Sequence, residues 1–375
     1  MALAPAPDRT AIRLAERLIQ LLGRGARTST YKYAVLIGLM DLCMELTGPT
    51  ALPPDMITTR QLAEKVIELY WPHCAPYPDT SSVLRQNTGS GDTQAEIIQH
   101  IEKFRKGAKV NHAASLPISR ARAATSPEAY EKLVRVIEWK LIEMPLPRLQ
   151  IIGGVEDRFL YQYGFNDKTT KREVDLYQHG KSLSFDNRLL LASGVSAALI
   201  ALNGVVRPLI YRSWADMVAR VNVLDEPKLE KFLFGEERIA LDSVRPGLRD
   251  LQDGRCFYCE KSLGATCHVD HFVPWARHAD NSIDNLVAAH VDCNGQKSDY
   301  LAAAEHVVRW RERSARHADD LAAIAVDQQW ETRPQRTLSV ARAIYQMLPD
   351  DARLWLSGRS FLVIDRPRIS GALAA

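Results

Sequence analysis

The chain has 375 residues, 46% hydrophobic and 25% charged, and its 48 Lys and Arg against 45 Asp and Glu leave a formal net charge of +3 at pH 7. This is the length of two or three domains with ample cores and the composition of an ordinary soluble protein, and so small a charge is no argument by itself for nucleic acid. Cys43, Cys74 and Cys267 read as isolated thiols and not as a disulfide framework, which suits a reducing cytosol and predicts a cytoplasmic protein.

The first 240 or so residues read as mostly helical. Residues 1–27 open on an Ala/Pro run and continue as an amphipathic pattern (Ile12, Leu14, Leu18, Ile19, Leu22). They lack the continuous apolar stretch of a secretory signal, so a first helix of the folded protein is expected. Tyr31 to Leu46 is apolar nearly all round, the mark of a core helix. Thr58, three residues before Gln61, makes a capping box for a helix from Arg60 to Trp71, which Pro72 stops. Residues 103–122 hold Lys103, Arg105, Lys106, Lys109, Arg120 and Arg122 with no acidic residue, either a surface for phosphate or a solvated loop. Ser126-Pro127 opens a helix to about Met144, and Asp157 to Tyr163 predicts a small sheet after it. Leu189 to Val206 carries no charge over 18 residues, but Ser193, Gly194, Ser196, Asn203 and Gly204 interrupt it. It reads as a buried helix ending at Gly204 and not as a membrane span, with the next helix starting at Arg207-Pro208.

Chemistry concentrates between Cys256 and Asp299. Cys256-x-x-Cys259 and His290-x-x-Cys293 are two knuckles whose two-residue gaps let both side chains of each pair turn toward one ion, and three cysteines with one histidine form an accepted tetrahedral zinc set. Zinc would then stand in for a hydrophobic core that so short a segment cannot build. Inside this frame Asp270 and His271 end a strand-like stretch. Neighbours on a straight strand face opposite ways, so these two serve one phosphate only at an irregular strand end. Phosphodiester hydrolysis needs a base for water and a cation for the developing oxyanion. Asp270 is a candidate cation ligand, His271 the candidate base, and Asn294, next to Cys293, a second ligand for the same cation. Asn285 is placed to fix the loop against the histidine strand through backbone hydrogen bonds. Lys297 is a candidate contact to a phosphate oxygen. His268 is expected to line the cleft, although a Cys267-His268 pair between the knuckles is also a potential metal trap. Trp275 is a candidate DNA contact or part of the small apolar layer around the hairpin.

These residues, in this order, resemble the HNH, or ββα-metal, nuclease domain found in homing endonucleases, restriction enzymes, colicin DNases and CRISPR effectors. The resemblance covers roughly residues 250–302. It implies that His271 activates water, that Asp270 and Asn294 bind one catalytic divalent ion, usually magnesium, and that Asn285 shapes the loop. Asparagine at the third position is a common variant. His290 stands where many members carry a cysteine.

From Leu251 to Tyr300 there are four Lys/Arg and seven Asp/Glu, so this segment is formally near −3 and its grip on a polyanion must come from elsewhere. A helix capped by Ser298 and running from Asp299 to Arg313, with Arg309, Arg311, Arg313 and Arg316, is one candidate beside the 103–122 run. Helices over His317 to Gln328 and Thr337 to Met347 and a loose tail from Gly371 complete the chain. The expected fold is α+β: a helical N-terminal domain (1–150), a helical domain with a small sheet (151–245), a zinc-stapled HNH domain (246–315) and a C-terminal helical extension (316–375). The expected function is an endonuclease dependent on magnesium or a similar ion that nicks DNA, double-stranded by preference, away from any membrane, with restriction or anti-phage defence as candidate roles and a homodimer or a defence-system partner protein as candidate assemblies. The rival is a catalytically silent, zinc-stapled module that binds nucleic acid or regulates.

Overall fold

The structure, a computed structural model, describes residues 9–24, 28–88, 94–108, 125–166, 168–224, 227–235, 241–264 and 266–374. They group into two compact units, Met1–Cys43 with Pro54–Arg238, and Met44–Pro53 with Ile239–Ala375. The chain is mainly helical with small sheets, an α+β protein.

In the first unit the local signals hold where a cap or a proline sets them. Thr58 accepts from the Gln61 backbone while Gln61 bonds back to Thr58, and the helix they open, Thr59–Tyr70, ends before Pro72. Ser126 caps Pro127–Glu143 through the Ala129 backbone N–H. Tyr31–Glu45 is helical, with Ala34, Val35, Ile37 and Cys43 fully buried. Of the basic run, residues 109–122 lie outside the described residues. Arg105 within it is no surface group: it is buried and donates to the Trp71 carbonyl at 2.7 Å.

The uncharged stretch from Leu189 departs from expectation. Arg188–Leu191 is the central strand of a three-stranded antiparallel sheet, between Met56–Thr58 and Tyr161–Tyr163. Its alternating burial, with Leu189 and Leu191 inward, is what a half-covered sheet requires. Gly194, at φ +76°, then turns the chain into Val195–Ala201, and after an 81° bend the helix Asn203–Asn222 continues straight through Pro208. No single helix among the described residues is long and apolar enough to cross a membrane, although this bent pair passes by length and composition.

The second unit is built around a short antiparallel hairpin, His268–His271 with Leu286–Ala289, followed at once by the helix Val291–Lys297. Val287, Ala288, Phe272 and Trp310 form its core, with the Phe272 and Trp310 rings stacked at 4.9 Å. Ser298 opens no helix. At φ +45° it terminates Val291–Lys297, and the next helix starts later, as Ala304–Arg316. Helices Ala318–Asp327 and Pro334–Gln346 follow. A hairpin, Arg353–Ser357 with Ser360–Val363, stands where only helix was expected, and the tail is ordered as the helix Arg366–Ala374, which buries Ile369 and Leu373. That apolar pair, four residues apart, gives the tail an inward face.

Candidate active site and metal-binding knuckles

The four knuckle residues converge. The sulfurs of Cys256, Cys259 and Cys293 and a ring nitrogen of His290 all lie within 4.8 Å of one another. Cys259 Sγ is 3.2 Å from His290 Nδ1, and the other ring nitrogen, Nε2, donates to the Ser262 carbonyl at 3.0 Å. That outer bond fixes the tautomer, leaving the Nδ1 lone pair for the cluster, as metal-bound histidines require. The His290 backbone N–H also reaches Cys256 Sγ at 3.4 Å. Burial, and then the nearby thiols of Cys256 and Cys259, push the Cys293 thiol up to about 12. A divalent cation among three sulfurs so close together would favour their thiolate forms. The donor set therefore fits a metal, and the Cys₃His composition fits zinc.

Arg309 braces this loop from the helix Ala304–Arg316, donating to the carbonyls of Phe257 (2.9 Å) and Tyr258 (3.1 Å) and pairing with Glu260 at 2.7 Å. Arg313, buried, donates to the carbonyls of Leu286 and Asp284. Two of the four arginines expected to grip DNA thus hold the domain together, while Arg316 stays exposed.

Along the hairpin strand the register is regular through its last residue, His271 opposite Leu286 and Asp270 opposite Val287. The regular pairing does not supply the irregular strand end at which the two side chains were expected to meet, and both are buried. The Asp270 carboxylate, buried, faces the helix Val291–Lys297. Its Oδ2 accepts from the Tyr258 hydroxyl and lies 3.1 Å from Lys297 Nζ. The His271 ring, only 4% exposed, faces Trp275 at 5.3 Å between centroids, and its Nε2 donates to Asn281 Oδ1 at 2.7 Å. Lys297 links the two residues, since its ammonium also bonds the His271 backbone carbonyl at 2.8 Å. Lys297, expected to meet a phosphate, is 0% exposed and is spent on these two bonds.

His268 shares the Asp270 side of the strand, is exposed, and lies with Nδ1 3.2 Å from the Asn294 amide nitrogen. Among the described residues no hydrogen bond reaches Asp270 Oδ1 or Asn294 Oδ1. These two oxygens are of the hard type that magnesium or a similar ion takes, so this side of the strand fits such an ion chemically. Cys267 is buried and joins no metal-binding group with His268 among the described residues. Trp275 is half-buried against His271.

Asn285, fully buried, ties the loop with three side-chain bonds: Val273 N–H donates to its Oδ1 at 2.8 Å, and its amide donates to the carbonyls of Val273 (3.1 Å) and Asp280 (3.0 Å). Behind it lies a polar network that sequence reasoning missed. Asp284 accepts from Ser282, Thr332 and the Arg333 backbone, and Asp280 from Thr337 and the Ser282 backbone. Burial raises the Asp284 pKa above the usual carboxylate range. Asn281 and Tyr258 were also missed as polar partners. The only available signals were an asparagine ten residues past the histidine and a hydroxyl between two knuckle cysteines.

Residues 256–303 match the family model of HNH endonucleases, and residues 12–232 match the model of a domain of unknown function, DUF8808. No curated protein and no solved structure matches the chain. With more than half of its length inside the second match, the chain belongs to the DUF8808 family, and it carries an HNH endonuclease domain behind that region.

Proposed function

We propose that the protein is a metal-dependent endonuclease that nicks one strand of double-stranded DNA. The observation that carries this reading is the coincidence, inside the HNH match, of a converged Cys₃His cluster with a strand and helix that bear Asp270, His271 and Asn294. A divalent ion held by Asp270 and Asn294 would supply positive charge against the developing oxyanion. His271, whose ring is oriented by the bond from Nε2 to Asn281, would be the base that takes the proton from water. Asn285 holds the loop on which Asn281 and the following strand depend, and zinc in the knuckles keeps Cys293, and so Asn294, in place. One such site per chain cuts one strand; a homodimer would be needed for a paired cut. A role in restriction or anti-phage defence, with a partner protein acting through the DUF8808 region, is the setting in which we place the enzyme.

A second reading, a silent nucleic-acid-binding module, draws on the Lys297 ammonium already balancing the Asp270 charge. Incubating supercoiled plasmid with the protein and magnesium or manganese separates the two. Conversion to open circles that EDTA stops is expected. Tight plasmid binding without conversion under any divalent ion would favour the silent module.

A further inference from the structure

The Asp270 carboxylate is held from the knuckle as well as from the helix. Its Oδ2 accepts from Tyr258, one of the two residues between the knuckle cysteines Cys256 and Cys259, and from Lys297. Tyr258 is itself immobilised on every side. Its carbonyl takes a hydrogen bond from Arg309 at 3.1 Å, and its ring packs edge-on against Trp355 at 5.1 Å, His306 at 5.2 Å and Phe257 at 5.1 Å. A buried hydroxyl in so fixed a ring has one position to offer, and it offers it to one oxygen of the carboxylate. The other oxygen, Oδ1, is left without a hydrogen bond among the described residues.

Resting on the endonuclease reading above, we infer that Tyr258 is a positioning residue that couples the two metal centres: the knuckle fixes the tyrosine, and the tyrosine orients Asp270 so that Oδ1 is presented to the catalytic ion. Lys297 bonds the same Oδ2 from the opposite element, so the carboxylate cannot rotate without breaking two contacts. The tyrosine thus acts on the ion only through Asp270 and touches no substrate.

The test is Tyr258→Phe, which keeps the ring and its packing and removes the hydroxyl alone. Mn²⁺ binding is read from the electron paramagnetic resonance signal of the free ion, alongside zinc content, the melting curve and plasmid nicking. Outer-sphere partners of metal ligands typically contribute about 10–100-fold in affinity. The expected result is unchanged zinc and melting, Mn²⁺ affinity weaker by a factor in that range, and nicking restored in part by raising Mn²⁺. In an Asp270→Asn background the same substitution should change Mn²⁺ binding no further. Affinity within twofold of wild type in an active enzyme would overturn the inference while leaving the nuclease reading intact. Loss of zinc or of the melting transition would assign Tyr258 to folding alone and overturn it too. A wild type that neither binds Mn²⁺ nor nicks would sink the nuclease reading and this inference with it.

Discussion

The knuckles and the histidine strand lie within the same 44 residues, yet they depend on distance along the chain in opposite ways. In the knuckles a two-residue gap sets the geometry of each pair locally, and the hairpin brings the two pairs together, with four donors within 4.8 Å. On the strand a single residue decides the face, so Asp270 meets Tyr258 and Lys297 while His271 meets Asn281 and Trp275. A metal clamp is robust to its surroundings. A strand-borne site is only as well defined as the elements packed on either side.

The largest effect should come from breaking the robust half. Cys256→Ser removes a donor from the cluster at which the proposed zinc would contribute on the order of 10 kcal/mol, as in comparable small domains. Loss of the second unit's melting transition together with its zinc is expected; a zinc-free protein melting as wild type would show that the knuckles staple nothing. Lys297→Met tests the strand half, since it leaves the Asp270 carboxylate buried with Tyr258 alone. Removing one partner of a buried pair typically costs about 3–5 kcal/mol, to be read from denaturant unfolding. Asn285→Ala sharpens the comparison by loosening the loop and sparing both metal sites. Three lost hydrogen bonds at about 1 kcal/mol each predict a loss near 3 kcal/mol with zinc content unchanged.

The smallest effect is a pH dependence. Burial lowers the His306 pKa below 6.5, so the fold favours the neutral ring, which donates to the Leu356 carbonyl. Its contribution to stability is present above the unfolded value and is lost as the pH falls through the folded one. His306→Gln, which can donate without titrating, should therefore narrow the drop in melting temperature on the acid side. An identical drop in both proteins would remove this histidine from the account.

What could be read from the sequence followed the same division. The Thr58–Gln61 box, the Ser126 cap and the knuckles are local, and each stands where the spacing put it. Leu189–Leu191 was misread as helix because its strand partners, Met56–Thr58 and Tyr161–Tyr163, lie far away in sequence. Lys297, expected to meet a phosphate oxygen, is buried beside Asp270, a partner on another element that spacing does not reveal. Arg309 and Arg313 were taken for candidate DNA contacts because the carbonyls they serve lie 27 to 52 residues earlier in the chain. Charge counts carry no information about such partners.

In the proposed reaction His271, and not the exposed His268, draws the proton from water. The most direct measurement is the single-turnover nicking rate of supercoiled plasmid under saturating magnesium for wild type, His271→Ala and His268→Ala, with zinc content and melting as controls. A fall of about 10²–10⁴-fold is expected for His271→Ala, typical of losing a general base, with a much smaller change for His268→Ala. The reverse order, or equal rates for wild type and His271→Ala, would contradict it.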